Sequence, residues 1–250
     1  MRARVAVTTL AVTAFAARPA AAYRPFDETD GDTAELDTVE LEIGPTQLAR
    51  STGSGAATTG VPTGVWNYGF SDGFELVVDL DGHIPLAHAG SGRLDSDVLV
   101  KHVLREGVLQ GASGPSIALE IGPLLPTVPQ LDDEGGFSAD LIISNRIGPI
   151  TTHVNLFGEA TRDRHVDGTL GTIVEAPTTW KLRPVGEIYY GNATGISVLA
   201  GAIWTWRKHV VFDGAVRYGD DDGHGFVEGR LGLTWVIDVG PARHRDPAER

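Results

Sequence analysis

The stretch Phe74–Asp81, FELVVDLD, puts Phe74, Leu76, Val78 and Leu80 on one side of an extended chain. Glu75, Val77, Asp79 and Asp81 fall on the other. Strict alternation specifies a β-strand lying between an apolar and a polar medium. The pattern constrains the fold because it recurs along the chain. Val39, Leu41 and Ile43 alternate with Glu40 and Glu42, and Phe137, Ala139, Leu141 and Ile143 with Ser138, Asp140, Ile142 and Ser144. Similar runs occur at 66–70, 98–105, 117–121, 153–159, 169–175, 184–190, 198–206, 211–217 and 227–235. The expectation is an all-β protein of about twelve antiparallel strands, each of roughly eight to eleven residues, the length of a tilted membrane crossing. One strand cannot say which medium is which. A soluble sandwich turns its apolar face to a core, whereas a transmembrane barrel turns it to lipid and the carboxylates to a lumen.

The chain ends decide part of this. Arg2 and Arg4 precede the short apolar run VAVTTLAVTAFAA, and Ala20 and Ala22 supply small residues before Tyr23. That is the pattern of a cleaved export signal over 1–22. Its removal takes three arginines and moves the formal charge from −13 to −16. So acidic a chain repels nucleic acid, which excludes it as a partner. With no cysteine there is no disulfide, thiolate metal site or cysteine nucleophile. Thirty-two glycines suit tight turns better than helices.

The connections alternate in length over the first half of the chain. Those at 45–62, 82–96 and 124–136 are long. Those at Ser71-Asp72-Gly73, around Gly111–Gly114 and at Ile147-Gly148-Pro149 are short. Outer-membrane barrels sort loops this way, with the short turns periplasmic. Phe70, Phe74, Trp204, Trp206, Phe212 and Trp235 then fall near the periplasmic strand ends, and Phe137 and Tyr190 near the opposite rim, as aromatic girdles do. The expected lumen lining is Glu40, Glu42, Glu75, Asp79, Lys101, Arg105, Glu120, Asp140, Asn155, Glu159, Glu175, Glu187, Asp213, Arg217, Glu228 and Arg230. His102 falls on the expected lipid face beside Val100 and Leu104. The domain reading is a signal peptide at 1–22, an up-and-down barrel over 23–238 and a short polar tail at 239–250.

The stretch NYGFSDGFELVV carries a resemblance. A strand ending in Tyr68-Gly69, a turn at Ser71-Asp72 and a strand opening Phe74-Glu75-Leu76 resemble the bacterial outer-membrane family labelled MetA-pathway of phenol degradation, also called transporter-like. The stretch Leu99–Leu104 and the closing GRLGLTWVI are similar too. The resemblance implies a Gram-negative outer-membrane β-barrel, a channel or transporter in a setting of aromatic compounds. One departure is that family members often end on an aromatic residue, whereas Trp235 is followed here by VIDVGPARHRDPAER.

Other constellations carry less. The acidic runs Asp27–Asp32 and Asp220–His224 lack the spacing and closing glutamate of a calcium loop. His153, His165, His209 and His224 have no zinc-ligand spacing. Ser144, His153 and Asn155 share the inner face, with no nucleophile elbow beside them. The reading is therefore a non-enzymatic channel, without cofactor, metal or catalytic residue, for passive passage of a small, hydrophobic or aromatic solute. Its partners are outer-membrane lipid and that solute. The rival is a soluble, exported β-sandwich or barrel that binds a ligand or partner.

Overall fold

The computed structural model describes residues 24–51, 58–86, 92–128, 135–162, 165–192, 195–221 and 224–240. The expected signal peptide lies outside them, as does the tail beyond Gly240. The strands are β1 (Thr38–Ser51), β2 (Thr58–Gly60), β3 (Thr63–Ser71), β4 (Phe74–Pro85), β5 (Arg93–Arg105), β6 (Ser116–Val128), β7 (Gly136–Ile147), β8 (Ile150–Thr161), β9 (Val166–Glu175), β10 (Leu182–Gly191), β11 (Gly195–Arg207), β12 (Val210–Asp221) and β13 (His224–Asp238). No helix occurs among the described residues.

Every barrel strand pairs antiparallel with its neighbour in the chain, and β13 closes on β1 from Thr38↔Asp238 to Ser51↔Phe226. Short β2 is an accessory. It pairs with β1 and β4 above the start of β3 and leaves twelve strands in the closed wall. Closure removes every sheet edge, which is what lets strands lie in lipid with all backbone groups paired.

Most barrel strands run longer than expected, up to fifteen residues in β13, while β3, β9 and β10 keep to nine or ten. The long connections read from the sequence are largely strand. β1 continues to Ser51, β4 to Pro85 and β6 to Val128. These polar, glycine-rich stretches keep pairing because the neighbouring strands beside them are equally long, as in Asp79↔Asp97 and Asp81↔Asp95. At the other rim the turns are tight: Gly73 and Gly148 adopt φ of 70° and 60°, which glycine tolerates without strain. The connection at 106–115 is an exception, folded on itself through Val108 N–H to the Gly114 carbonyl at 2.9 Å.

The outer face settles the choice of medium. Leu141, Leu156, Leu170, Ile188, Val198, Val216 and Leu231 are exposed, while Glu42, Glu75, Lys101, Asn155 and Glu187 are buried within. That inverts a soluble protein and disposes of the sandwich. His102 lies outside at the short-turn rim, its ring stacked on Phe74 at 3.9 Å and Nδ1 3.0 Å from the Gly73 carbonyl. The same rim carries the Phe70–Phe74, Trp204–Phe212 and Trp206–Phe212 ring pairs.

Leu141→Arg, midway along β7, is expected to block assembly, since a midplane Arg on a barrel's lipid face costs about 2–4 kcal/mol, while Leu76→Arg, two residues from the rim at Phe74, should weaken it less. Glu75→Arg points inward and should still assemble. Heat-modifiable gel migration reads both, and equal loss would mean that the faces are misassigned.

Candidate functional site

Register brings the inward side chains into a belt. Glu75 lies opposite Lys101, Lys101 opposite Glu120, and Glu120 opposite Asp140. One ammonium thus stands among three carboxylates. The interior is not uniformly polar: Ala118, Ile142, Ile173, Leu199, Ile203 and Val211 are buried there too.

Residues 24–37 do not join the wall. They cross the lumen as an extended segment without a strand of their own, apart from a single bridge of Leu36 to Gly69. Lacking a ladder, its backbone donors need acceptors, and the barrel supplies them. The Arg24 amide donates to Glu42 at 3.0 Å, and those of Asp27 and Glu28 to Glu187 at 3.2 and 3.1 Å. The Gly31 amide donates to Ser144 Oγ at 2.8 Å, and that of Ala34 to Glu75. Asn155 grips Thr29 from both sides, accepting its N–H at 3.3 Å and donating to its carbonyl at 2.9 Å. Lys101 Nζ donates to the Thr29 hydroxyl at 3.0 Å.

Side chains of the segment add anchors. Phe26 packs on a buried cluster of Val185, Ile203 and Val211. Asp27 pairs with Arg217 and Arg230, and Glu28 accepts from the Thr169 hydroxyl at 3.1 Å. Gln110, from the folded connection at the short-turn rim, donates to the Gly31 carbonyl at 3.1 Å and to Asp32 at 2.9 Å. The wall is cut to fit. A Cβ at Gly69 would strike the backbone of Ala34 and Glu35, one at Gly171 would strike Glu28, and one at Gly44 or Gly232 would strike Arg24. These glycines let the segment lie against the strands.

Ser144, His153 and Glu175 form a chain, with Ser144 Oγ 2.8 Å from His153 Nδ1 and His153 Nε2 3.8 Å from Glu175. Ser144 Oγ thus accepts from the Gly31 amide while sharing a hydrogen bond with His153 Nδ1. Gly31 and the buried surroundings cover the hydroxyl, so the trio holds the segment.

No family model matches the chain, and no curated protein matches it. Solved structures do. An outer-membrane channel from Pseudomonas putida F1 is 8% identical, with a TM-score of 0.63 over 85% of this chain and 100% of that one. The CymD monoaromatic hydrocarbon channel is 7% identical, with a TM-score of 0.50 over 83% of this chain and 90% of its own. The KdgM porin, solved in complex with disordered oligogalacturonate, is 14% identical, with a TM-score of 0.50 over 78% of this chain and 98% of its own. This chain has the fold of an outer-membrane channel. The solved neighbours named here are non-enzymatic channels and porins.

Of the side chains expected to line the lumen, Glu42, Glu75, Lys101, Asn155, Glu187, Asp213, Arg217 and Arg230 meet the segment directly or through a hydrogen bond or ion pair. Glu40, Glu120 and Asp140 sit on the same inner face, Glu228 bridges the two arginines, and Glu175 pairs with Arg183 at 2.9 Å. Asp79 and Glu159 line a separate cavity of about 510 Å³ toward the long-connection rim, with Asp81, Asp95, Asp97 and Asp167. Arg105 is elsewhere. A register shift after Val103 leaves it exposed at the short-turn rim, its guanidinium on the Pro115 and Ser113 carbonyls. Sequence reasoning missed Arg24–Ala34 as site residues, counting 23–37 within the barrel domain ahead of the first strand at Val39. The available signal was an acidic, turn-rich stretch between the expected export signal and the first alternating run, too long to be a mere lead-in.

Proposed function

We propose that this protein is a passive outer-membrane channel for a small hydrophobic or aromatic solute, exported by residues 1–22 and held closed by its own N-terminal segment. The observation that carries the reading is a polar, segment-filled interior within a closed apolar-faced barrel, an arrangement with no use in a soluble protein. The solute class draws on the Tyr68-Gly69 to Leu76 resemblance and on the CymD channel's monoaromatic hydrocarbon, which at 7% identity speaks for that protein first. Finer membership in the phenol-degradation family rests on that resemblance alone. No cofactor enters the reading, and its partners are lipid on the outer face and the solute within.

The expected lining carries more Asp and Glu than Lys and Arg, and low-dielectric walls focus the resulting field. Ionic current through the opened barrel should therefore prefer cations. Replacing Glu75, Glu120 and Glu159 together by Gln should reduce that preference while the barrel still assembles. Fractionation to the outer membrane, then reversal potentials across a salt gradient in a planar bilayer, tests the reading. Anion selectivity would overturn the charge argument, and recovery as a soluble protein would overturn the channel.

A further inference from the structure

Phe26 and Asp27 occupy two adjacent features of the wall made by β10–β13. The first is the apolar cluster of Val185, Ile203 and Val211 that receives the Phe26 ring. The second is a pair of guanidiniums that takes one Asp27 oxygen each: Arg217 binds Oδ2, and Arg230 binds Oδ1 at 2.6 Å. The pair has other partners besides Asp27. Glu228 lies between the two arginines, on Arg230 Nε and 3.7 Å from Arg217 Nη1, and Ser197 accepts from Arg217 Nε at 2.9 Å. Arg230 also donates to the Pro25 carbonyl at 2.8 Å.

Two guanidiniums facing one carboxylate from each side make an alternating ring of four charges. Taking Asp27 away removes the carboxylate that both guanidiniums bind directly, and although Glu228 lies between them and Glu187 and Asp213 lie nearby, the freed N–H donors favour another carboxylate at that position. Asp27 is the most exposed of the four, its side chain 22% accessible against 4% for Arg230. The vacancy would therefore be reached from the lumen. Arg217 also lies 5.4 Å from the Tyr189 ring and 5.6 Å from that of Phe226, a flat flank beside the charge.

We propose that this wall is a binding site for an aryl-substituted carboxylate, and that Phe26 and Asp27 occupy it as a tethered stand-in. The ring goes where Phe26 lies and the acid where Asp27 lies. Ring and acid sit on consecutive residues at a bend of the segment, so the ligand needs a flexible alkyl link between them to reach both features. The acidic cavity at the long-connection rim slows arrival of an anion but does not alter the site itself. The tether raises the stand-in's local concentration, so a free acid competes poorly until the segment is weakened.

This inference deepens the channel reading by naming a solute class, and it is tested by binding, which can fail while conductance remains. Folded full-length mature protein is titrated calorimetrically with 3-phenylpropanoate. Replacing Phe26 by Ala and Asp27 by Asn together is expected to tighten binding about tenfold or more over the unaltered chain. Adding Arg217→Gln should reverse the gain by a similar factor, since a charge-assisted contact is lost. Phenethylamine, with the same ring and the opposite charge, should not bind. If the vacated protein ignores 3-phenylpropanoate, or binds it equally with Arg217→Gln, the site is not there. Should the double variant fail to show heat-modifiable migration, the unaltered chain decides. Conductance that rises with 3-phenylpropanoate but not with phenethylamine supports displacement of the stand-in, and equal responses overturn it.

Discussion

Deleting residues 26–34 from the processed chain is expected to turn a nearly closed barrel into one with at least several-fold higher unit conductance. The segment spans the lumen, and its contacts reach β4, β5, β7, β8, β9, β10, β12 and β13. Burying a Phe is worth about 1.5–3 kcal/mol, and a hydrogen bond to a charged group about 1.5–3 kcal/mol. Ordering the backbone costs roughly 1–2 kcal/mol for each residue, so anchors and ordering come close to balance. The tether tips that balance, because a docked segment pays no translational cost. A single substitution at one anchor should therefore shift the closed fraction modestly, while deletion abolishes it. The wall does not depend on the segment for its pairing: all twelve strands hold one another, and the carboxylates it leaves behind gain water. Assembly should persist by heat-modifiable migration. Single-channel recordings in a planar bilayer compare the two proteins. A folded deletion variant with unchanged conductance would mean that the segment does not close the path.

The wall was legible in the sequence because alternation is a local property with a single geometric meaning. Phe74–Asp81 needs no partner to announce two faces, and the glutamates of Val39–Ile43 fall inward whatever pairs with them. His102 on the outer face is explained by Phe74, its partner across the β4–β5 register, and by the Gly73 carbonyl in the turn before it. What alternation cannot report is a non-repeating segment. Arg24–Asp37 has no period, and its role depends on residues more than a hundred positions away, such as Asn155 and Glu187. Its mark on the wall was equally hidden. Gly171 reads as one more small strand residue until Glu28 is seen lying against it. Arg105 failed for a different reason: parity carries through a strand only while the register is continuous, and β5 shifts after Val103.

Raising the pH from about 5 to about 8 is expected to loosen the docked segment, with Glu28 as the group responsible. Glu28 belongs to the docked segment, outside the wall strands, and is 7% exposed against β9. Burial raises its carboxyl first, and Asp140 on β7, Glu187 on β10 and Asp27 beside it add repulsion. The Thr169 hydroxyl opposes them, and the result is a group pushed up to about 8 from its ordinary 4.5. When the segment is released the carboxyl is hydrated and returns toward 4.5. Docking therefore takes up a proton at neutral pH. That contribution is complete below about 4.5, is lost as pH rises toward 8, and changes no further above it, with a ceiling on the order of 3–5 kcal/mol. Asp27 works in the opposite sense. Burial raises it, but Arg230 and Arg217 outweigh burial and hold it below its ordinary 3.8, so its contribution is present above that value and fades in stronger acid. Docking is then tightest in a mildly acidic window between the two. Conductance recorded from pH 5 to pH 8 should rise more steeply in the unaltered protein than with Glu28→Gln, which cannot ionise and still accepts from Thr169. Other lumen acids titrate in both proteins, so the difference between the two curves isolates Glu28. Parallel curves would remove it as the sensor and leave the closed state without this pH dependence.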